Sequence, residues 1–511
     1  MKTGKHSSFY IKLGQKYEKK NPNQAYLCYE NALHYSRDRE ETADAVHVID
    51  RLKAKYTVNV SKTAIILLSY NYQQITKDCI QSIRQNNHPS TYELIVVDNA
   101  SSDGIQEWLI QQENIKLILN DDNRGFPIGC NQGIELADQT FDIFLLNNDT
   151  VVPCDALFWL RMGLYERDNI GATGSVSNAV ANDQQVAENF DTLSQWIDYA
   201  DKNNVPMQYP YEKKAWLIGF AMLIKRAALD KVGILDARFS PGHYEDNDLC
   251  IRILQQGYQL LLCKNSFIYH YGSKSFGENE KEQLKLVSKN EKKLSEKYGF
   301  NYAHYNFVDP AIVDMIQPHE PVCNVLEIGA KLGCTLARLE SKYQGIQVVG
   351  IENNEKLRII AKQVTNLKEG NCLEGRATFW ERAFDYIILD GTIAVENDPV
   401  LLLQKAKRLL KRTGKMIVSV KNADCIKKFS NDREGVYLRL EEILAIFARA
   451  RLVITQSDYS TLVLTEQEKQ KLMKQAQGNA DEILLHEAYT FIFEVKAQHH
   501  DNESASESHG R

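Results

Sequence analysis

The 511-residue chain reads as an α/β protein, two units of strands and helices behind a small N-terminal α-helical segment. Three observations predict this. From Thr63 onward short apolar strands alternate with helical stretches, the pattern of a largely parallel sheet. The alternation starts afresh near 322, after a charge-rich stretch. The length exceeds what one hydrophobic core sustains, so two to four domains are expected. The boundaries read as 1–60 for the helical segment, 61–300 and 301–497 for the two α/β units, and 498–511 for a polar tail of disordered composition.

Residues 8–56 carry helical spacing. Leu13, Gly14 and Tyr17 share one helix, and Ala25, Tyr29 and Ala32 recur on the next. Pro22 falls at the turn between them, where it can start a helix. A third helix is expected over about 40–56. The first two resemble one tetratricopeptide-type hairpin. Such a hairpin cannot bury its own face, so it should pack on the next domain or on a partner; a plain helical cap is the alternative.

In the first α/β unit TAIILLSY, ELIVVDN, IKLILN and DIFLLNND are the strands. ITKDCIQSIRQN and a stretch near 104–112 are helices, and 276–300 is a helix that closes the unit. In such sheets ligands bind beyond the carboxyl ends of the strands, where Ser69, Asp98 and Asp149 lie. In the second unit VCNVLEIGAKLGCTLARL is strand, glycine turn and helix, and IQVVGI leads to a strand-end Glu352. FDYIILDG, GKMIVSV and FIFEVKA are its later strands.

The bulk numbers exclude several classes. A net charge of −6 gives no support for nucleic-acid binding. No apolar run approaches the ~20 residues that cross a bilayer, although peripheral membrane contact stays open. MKTGKHSSFY lacks the apolar stretch of a signal peptide. The ten cysteines are scattered without a CxxC pair, and read as reduced thiols of a cytoplasmic protein.

Two acidic features carry the chemistry. FDIFLLNNDT is an apolar strand that ends on Asp149, and YEDND at 244–248 puts Glu245, Asp246 and Asp248 just before the helix LCIRILQQGY. A strand-end carboxylate can hold a divalent metal against a diphosphate. A carboxylate at a cleft edge can take a proton from a hydroxyl. Acids at a helix start can also be plain caps that meet the dipole.

AIILLSYN, ELIVVDNASSDG, NRGFPIGCNQGI, LLNNDT, HYEDNDLCIRILQQGY and YHYGS occur in this order. Together they resemble the family 2 inverting glycosyltransferases, especially the rhamnosyltransferase-like branch, over about 63–275. The resemblance implies the GT-A fold and a nucleotide-diphosphate sugar as donor. It implies that Asp98 contacts the nucleotide base, with a helix-capping Asp as the alternative. Ser69, Asn71, Asn123, Arg124, Gly125, Asn148 and Gly219 are the further donor-site candidates. Gly125 and Gly129 permit close backbone approach to a ligand, or form an ordinary loop; Arg124 can reach a phosphate. The family's acid-rich triplet here reads Asn147-Asn148-Asp149. One carboxylate is left, so Mn²⁺ or Mg²⁺ would be held by Asp149, His270, water and the diphosphate. By the same resemblance Asp246 is the general base, with Glu245 beside it to raise the pKa of one of the pair. Trp216, Gly219 and Phe220 match the stretch lining the sugar and acceptor pocket, or are core.

VLEIGAKLGCTLARL, with Glu352 after the next strand, resembles the class I S-adenosylmethionine-dependent methyltransferases over about 320–497. The resemblance implies that Gly329 and Gly333 approach the cofactor and that Glu352 binds its ribose hydroxyls. The turn GAKLGC lacks the family's second glycine, Asn371 stands where an acid is common, and no acid–histidine pair follows FDYIILDG. A non-catalytic domain is the reading, with residual S-adenosylmethionine binding as the alternative. For the whole chain the expectation is an inverting glycosyltransferase acting on a hydroxyl of a cell-surface glycan or of a protein such as flagellin. The alternatives are a methyltransferase acting on a sugar or glycoprotein, a bifunctional chain, and a scaffold of two degenerate domains.

Overall fold

The structure, a computed structural model, describes residues 6–180, 182–272, 280–319, 321–368, 380–425, 436–461 and 488–498. Asn371 and most of the polar tail lie outside the described residues. The chain divides into two compact units, Met1–Tyr305 and Asn306–Arg511.

The first unit opens with helices α1 (Ser7–Tyr17), α2 (Pro22–His34) and α3 (Arg39–Lys55). Local chemistry sets their starts. Asn21 accepts from the Gln24 N–H ahead of Pro22, and Asp38 accepts from the N–H groups of Glu40 and Glu41. Gly14 lets α1 approach α2, because a β-carbon there would overlap the ring of Tyr29. The hairpin packs on helix Ala156–Leu164 of the same unit. Tyr10, Asn31 and Tyr35 donate to Asp155 at 2.6, 2.9 and 3.2 Å, and Gln24 donates to the Met162 carbonyl at 2.8 Å. Arg161 and Glu30 form a buried ion pair beside them.

Ten strands follow: β1 (Thr63–Ser69), β2 (Tyr92–Asp98), β3 (Ile115–Leu119), β4 (Asp142–Asn147), β5 (Thr150–Val151), β6 (Ile170–Val176), β7 (Tyr211–Lys214), β8 (Ala221–Ile224), β9 (Gln259–Phe267) and β10 (Tyr269–His270). Eight of them form one sheet in the order β3-β2-β1-β4-β8-β6-β9-β7. β3, β2, β1 and β4 run parallel, and β8 joins antiparallel to β4. The runs IILL and LIVV are buried throughout or nearly so, as central parallel strands covered on both faces must be. β5 and β10 form a separate antiparallel ribbon, with His270 opposite Thr150. Helix Glu280–Tyr298 lies within the stretch 276–300 expected to be helical, of which 276–279 lie outside the described residues.

One boundary differs from the sequence reading. The helix expected to begin at LCIRILQQGY begins at Glu245 and runs to Gln255. Its cap, Tyr244, is left-handed (φ 72°), so the acids occupy the first helical turn, where the dipole favours them.

The second unit has β11 (Cys323–Ile328), β12 (Ile346–Ile351), β13 (Leu367–Lys368), β14 (Phe384–Asp390), β15 (Leu410–Lys421), β16 (Leu452–Thr461) and β17 (Ala488–Ala497). Their order is β13-β12-β11-β14-β15-β17-β16, with β17 antiparallel to both neighbours. Leu326, Ile387, Val418 and Phe493 face one apolar layer; Val325, Ile388, Ile417 and Ile492 face the other. The alternation places a core on each side of the sheet. Among the described residues no helix is long and apolar enough to cross a membrane, and the nine described cysteines are free thiols.

Candidate active site

The end of β4 and the β5–β10 ribbon bring Asp149 and His270 together. His270 Nε2 lies 3.1 Å from Asp149 Oδ1, and both side chains are almost wholly buried. The other imidazole nitrogen, Nδ1, lies 2.6 Å from the Ala179 carbonyl. A carbonyl only accepts, so Nδ1 carries a hydrogen and the ring is held in one orientation. Nε2 can then donate to Asp149 only in the protonated ring, and a metal ion would take the place of that proton. Burial pulls the His270 pKa down, but the hydrogen bond and charge of Asp149 outweigh it, and the net shift is upward. Asp149 Oδ2 is buried with no hydrogen-bond partner in the protein, an arrangement that costs free energy unless a cation or donor meets it. This orphaned oxygen and the imidazole fit a hard divalent cation. Among the described residues no group of three or more His, Cys, Asp and Glu is placed to hold a metal. The protein would therefore supply two ligands and leave the rest to diphosphate oxygens and water.

The base candidates lie at the start of helix Glu245–Gln255. Asp246 Oδ2 accepts from the Gly219 N–H at 3.0 Å, and Oδ1 from the Asn247 N–H at 2.8 Å. Glu245 is buried, with Oε2 lacking a partner. Burial, then the charge of Asp246, pushes the Glu245 carboxyl well above the usual range. Burial also raises Asp246, against the pull of its two N–H donors. The upward push is the stronger on Glu245, which lacks the two backbone donors that hold Asp246. The third acid, Asp248, is fully buried and bonded to Arg252 (2.8 Å), Lys297 and Tyr298 (2.7 Å). It ties helix Glu280–Tyr298 to this helix and has no free oxygen for chemistry.

The segment Gly219–Phe220, just before β8, joins the two stations. Gly219 donates to Asp246. The Phe220 carbonyl accepts from the Asn147 N–H at 2.8 Å, and its ring lies 5.2 Å from the His270 ring. A β-carbon on Gly219 would lie 3.4 Å from Asp246 Cβ, so the glycine lets the acid sit close.

The remaining donor-site candidates spread over the adjoining loops. Ser69, at the end of β1, has a buried hydroxyl without a partner. Asp98 accepts from Ser101 N–H (2.9 Å), Ser101 Oγ (2.6 Å) and Gln106 (2.6 Å), so its carboxylate organises its own loop. Asn71, left-handed at φ 56°, braces that loop through Ser101 and Ser102. Asn123 accepts from the Gly125 N–H at 3.0 Å. Arg124 is partly exposed and pairs with Asp122 at 3.3 Å. The close approach that Gly125 permits is to protein: a β-carbon there would lie 2.5 Å from Ser240 Oγ and 2.6 Å from Pro241 Cα. Gly129 likewise makes room for Leu68. The Asn148 amide donates to Thr76 at 2.9 Å, which fixes β4 to helix Gln73–Asn86. Two residues without a sequence signal of their own complete the frame. Asn99 bonds Asn120 (2.8 Å) and Asn123 (3.2 Å). Asn290, fully buried, donates to the carbonyls of Phe239 and Gly242 at 2.8 Å and steadies the loop before Asp246.

In the second unit Gly329, Lys331 and Gly333 form the turn after β11, all with positive φ. Glu352 follows β12; its Oε2 accepts from the Lys331 N–H and its Oε1 from the Asn354 N–H, both at 2.8 Å. Lys331 Nζ is ion-paired with Asp390 at the end of β14. Glu327, on β11 beneath them, is buried, and burial with the nearby Asp390 charge raises its pKa well above the usual value. Glu352 was expected to offer its oxygens to a ribose. Each oxygen accepts one backbone N–H and keeps a further lone pair, so the departure from a cofactor turn lies in the lysine side chain, which crosses to Asp390. As they stand, these residues do not fit S-adenosylmethionine.

Comparison with known proteins agrees with both folds. Residues 64–233 match the model of glycosyl transferase family 2, and 326–418 match a methyltransferase domain model. Glycosyltransferase AglE of Haloferax volcanii is 23% identical over 231 residues, 44% of this chain and 71% of that protein. A Bacillus subtilis protein described as a teichuronic acid biosynthesis glycosyltransferase, TuaG, is 30% identical over 90 residues, 17% of this chain and 35% of its own length. Demethylmenaquinone methyltransferase of Thermotoga maritima is 25% identical over 131 residues, 25% of this chain and 56% of that protein. The chain thus spans less than two thirds of the latter two. The chain carries a glycosyl transferase family 2 match over 64–233 followed by a methyltransferase domain match over 326–418.

Proposed function

We propose that the first unit transfers a sugar, with inversion, from a nucleotide-diphosphate sugar to an acceptor hydroxyl. The observation that carries this reading is the joining of two stations by one short segment. Gly219 holds the base carboxylate of Asp246, and Phe220 packs on the His270 that faces Asp149. Ionised Asp246 takes the acceptor proton. The acceptor oxygen then bonds to the anomeric carbon from the face opposite the leaving group, the bond to the diphosphate breaks, and the centre inverts. Neutral Glu245 adds no second charge beside the base. Asp149 and His270 would hold Mn²⁺ or Mg²⁺, which when bound supplies charge neutralisation for the departing diphosphate. Ser69, Asn71, Asp98, Asn99, Asn123 and Arg124 frame the donor side, with Asp98 and Asn71 fixing the loops that meet the nucleotide. A cell-surface glycan or a protein is the acceptor class; the similarity to TuaG, described as a teichuronic acid biosynthesis glycosyltransferase, supports the glycan.

The methyltransferase-type sheet supports a second reading, a bifunctional chain. Its cofactor turn argues for a stabilising or docking role instead. The test is a screen of nucleotide sugars with Mn²⁺ for hydrolysis and transfer by the purified full chain. Turnover of one donor, lost in Asp149→Ala, is expected. Turnover of one donor together with methyl transfer from S-adenosylmethionine would favour the bifunctional reading, and turnover of none would contradict the sugar transfer.

A further inference from the structure

β12, β11 and β14 are neighbours in the second sheet, so the groups at their carboxyl ends share one cleft mouth. Glu352 follows β12, Lys331 sits in the turn after β11, and Asp390 ends β14. In a methyltransferase-type fold this mouth receives the cofactor, and a bare glycine in the turn lets it approach the backbone. Here the residue between Ala330 and Leu332 is a lysine held at φ 53°, a region that side chains other than glycine rarely adopt. Its N–H is spent on Glu352 and its ammonium on Asp390, itself bonded to Ser419. Glu327 lies buried beside the same group. Asp390 thus meets the ammonium directly, and Glu352 is held by the backbone of the same residue. A sulfonium nucleoside would bring its own positive charge to those acids, and the lysine occupies that role already.

We infer that Lys331 is a built-in plug. Its side chain and its ion pair with Asp390 stand in for the cation of S-adenosylmethionine and keep the cofactor from the carboxyl ends of β11, β12 and β14. The inference concerns the second unit alone and does not depend on the glycosyltransferase reading.

The experiment is calorimetric titration of S-adenosylmethionine into the full chain, its Lys331→Gly and Lys331→Ala variants, and Lys331→Gly combined with Glu352→Ala. Circular dichroism and melting establish that each is folded, and the alanine variant serves if the glycine one is not. Removal of the lysine is expected to tighten binding by at least ~100-fold over the wild type, and Glu352→Ala to abolish the gain. Wild-type binding as tight as that of the variants would overturn the inference. So would two folded variants with no gain, or a gain that survives Glu352→Ala.

Discussion

Glu245 and Asp246 are adjacent in sequence and opposite in environment. Glu245 points inward without a partner for Oε2, whereas Asp246 is met by two backbone N–H groups. The consequence for stability has a definite sign. A carboxyl whose folded pKa is raised stabilises the fold below its unfolded pKa of ~4.3, and that contribution is lost as pH rises through the folded value. Glu245→Gln removes the loss. The variant is expected to melt higher than wild type at pH 8, with the gap closing toward pH 4, as thermal unfolding across that range would record. Asp149→Ala should abolish metal-dependent binding of a nucleoside diphosphate while the fold survives. Calorimetry with Mn²⁺ reads this directly, and unchanged affinity would remove the metal role. Asp149, Glu245 and Asp246 could be named as candidates from the chain, because strand ends and acidic helix starts leave local patterns, and His270 only from the family resemblance of YHYGS. The separate fates of the acids could not. That Asp248 is an anchor depends on Lys297 and Tyr298, about fifty residues away, and no spacing rule reports such a contact.

At the scale of elements, Asp155 docks the helical segment. It accepts from Tyr10 on α1, Asn31 on α2 and Tyr35 just after α2. Hydrogen bonds to a charged group each contribute about 1.5–3 kcal/mol, and unpaired buried donors add a penalty. Asp155→Ala is therefore expected to destabilise the first unit by at least ~2 kcal/mol in denaturant unfolding and to expose α1 to limited proteolysis. The helices were legible from periodicity and from Pro22, and the need for a partner surface from the hairpin's uncovered face. The identity of that surface was not, since helix Ala156–Leu164 lies well over a hundred residues downstream. The central apolar strands of both sheets were likewise legible. The β5–β10 ribbon was missed because two-residue strands carry no periodic signal, yet it is the element that brings His270 to Asp149. β8 was not read as a strand for a different reason: AMLI is apolar throughout and shows no alternation.

For the whole molecule, each unit has its own sheet and apolar layers. A chain ending at Tyr305 should fold and retain donor hydrolysis, with any loss appearing in acceptor use; complete loss of donor hydrolysis in a folded fragment would assign the second unit a part in the first one's chemistry. The central claim, that the chain is a glycosyltransferase driven by Asp246, meets its most direct test in a paired measurement on the full-length protein. Turnover of its nucleotide sugar and calorimetric donor affinity are compared for wild type and Asp246→Asn. The account predicts a fall in turnover of at least ~10²-fold with donor affinity little changed. An Asp246→Asn protein that turns over as fast as wild type, above all if Glu245→Gln is inactive, would contradict it.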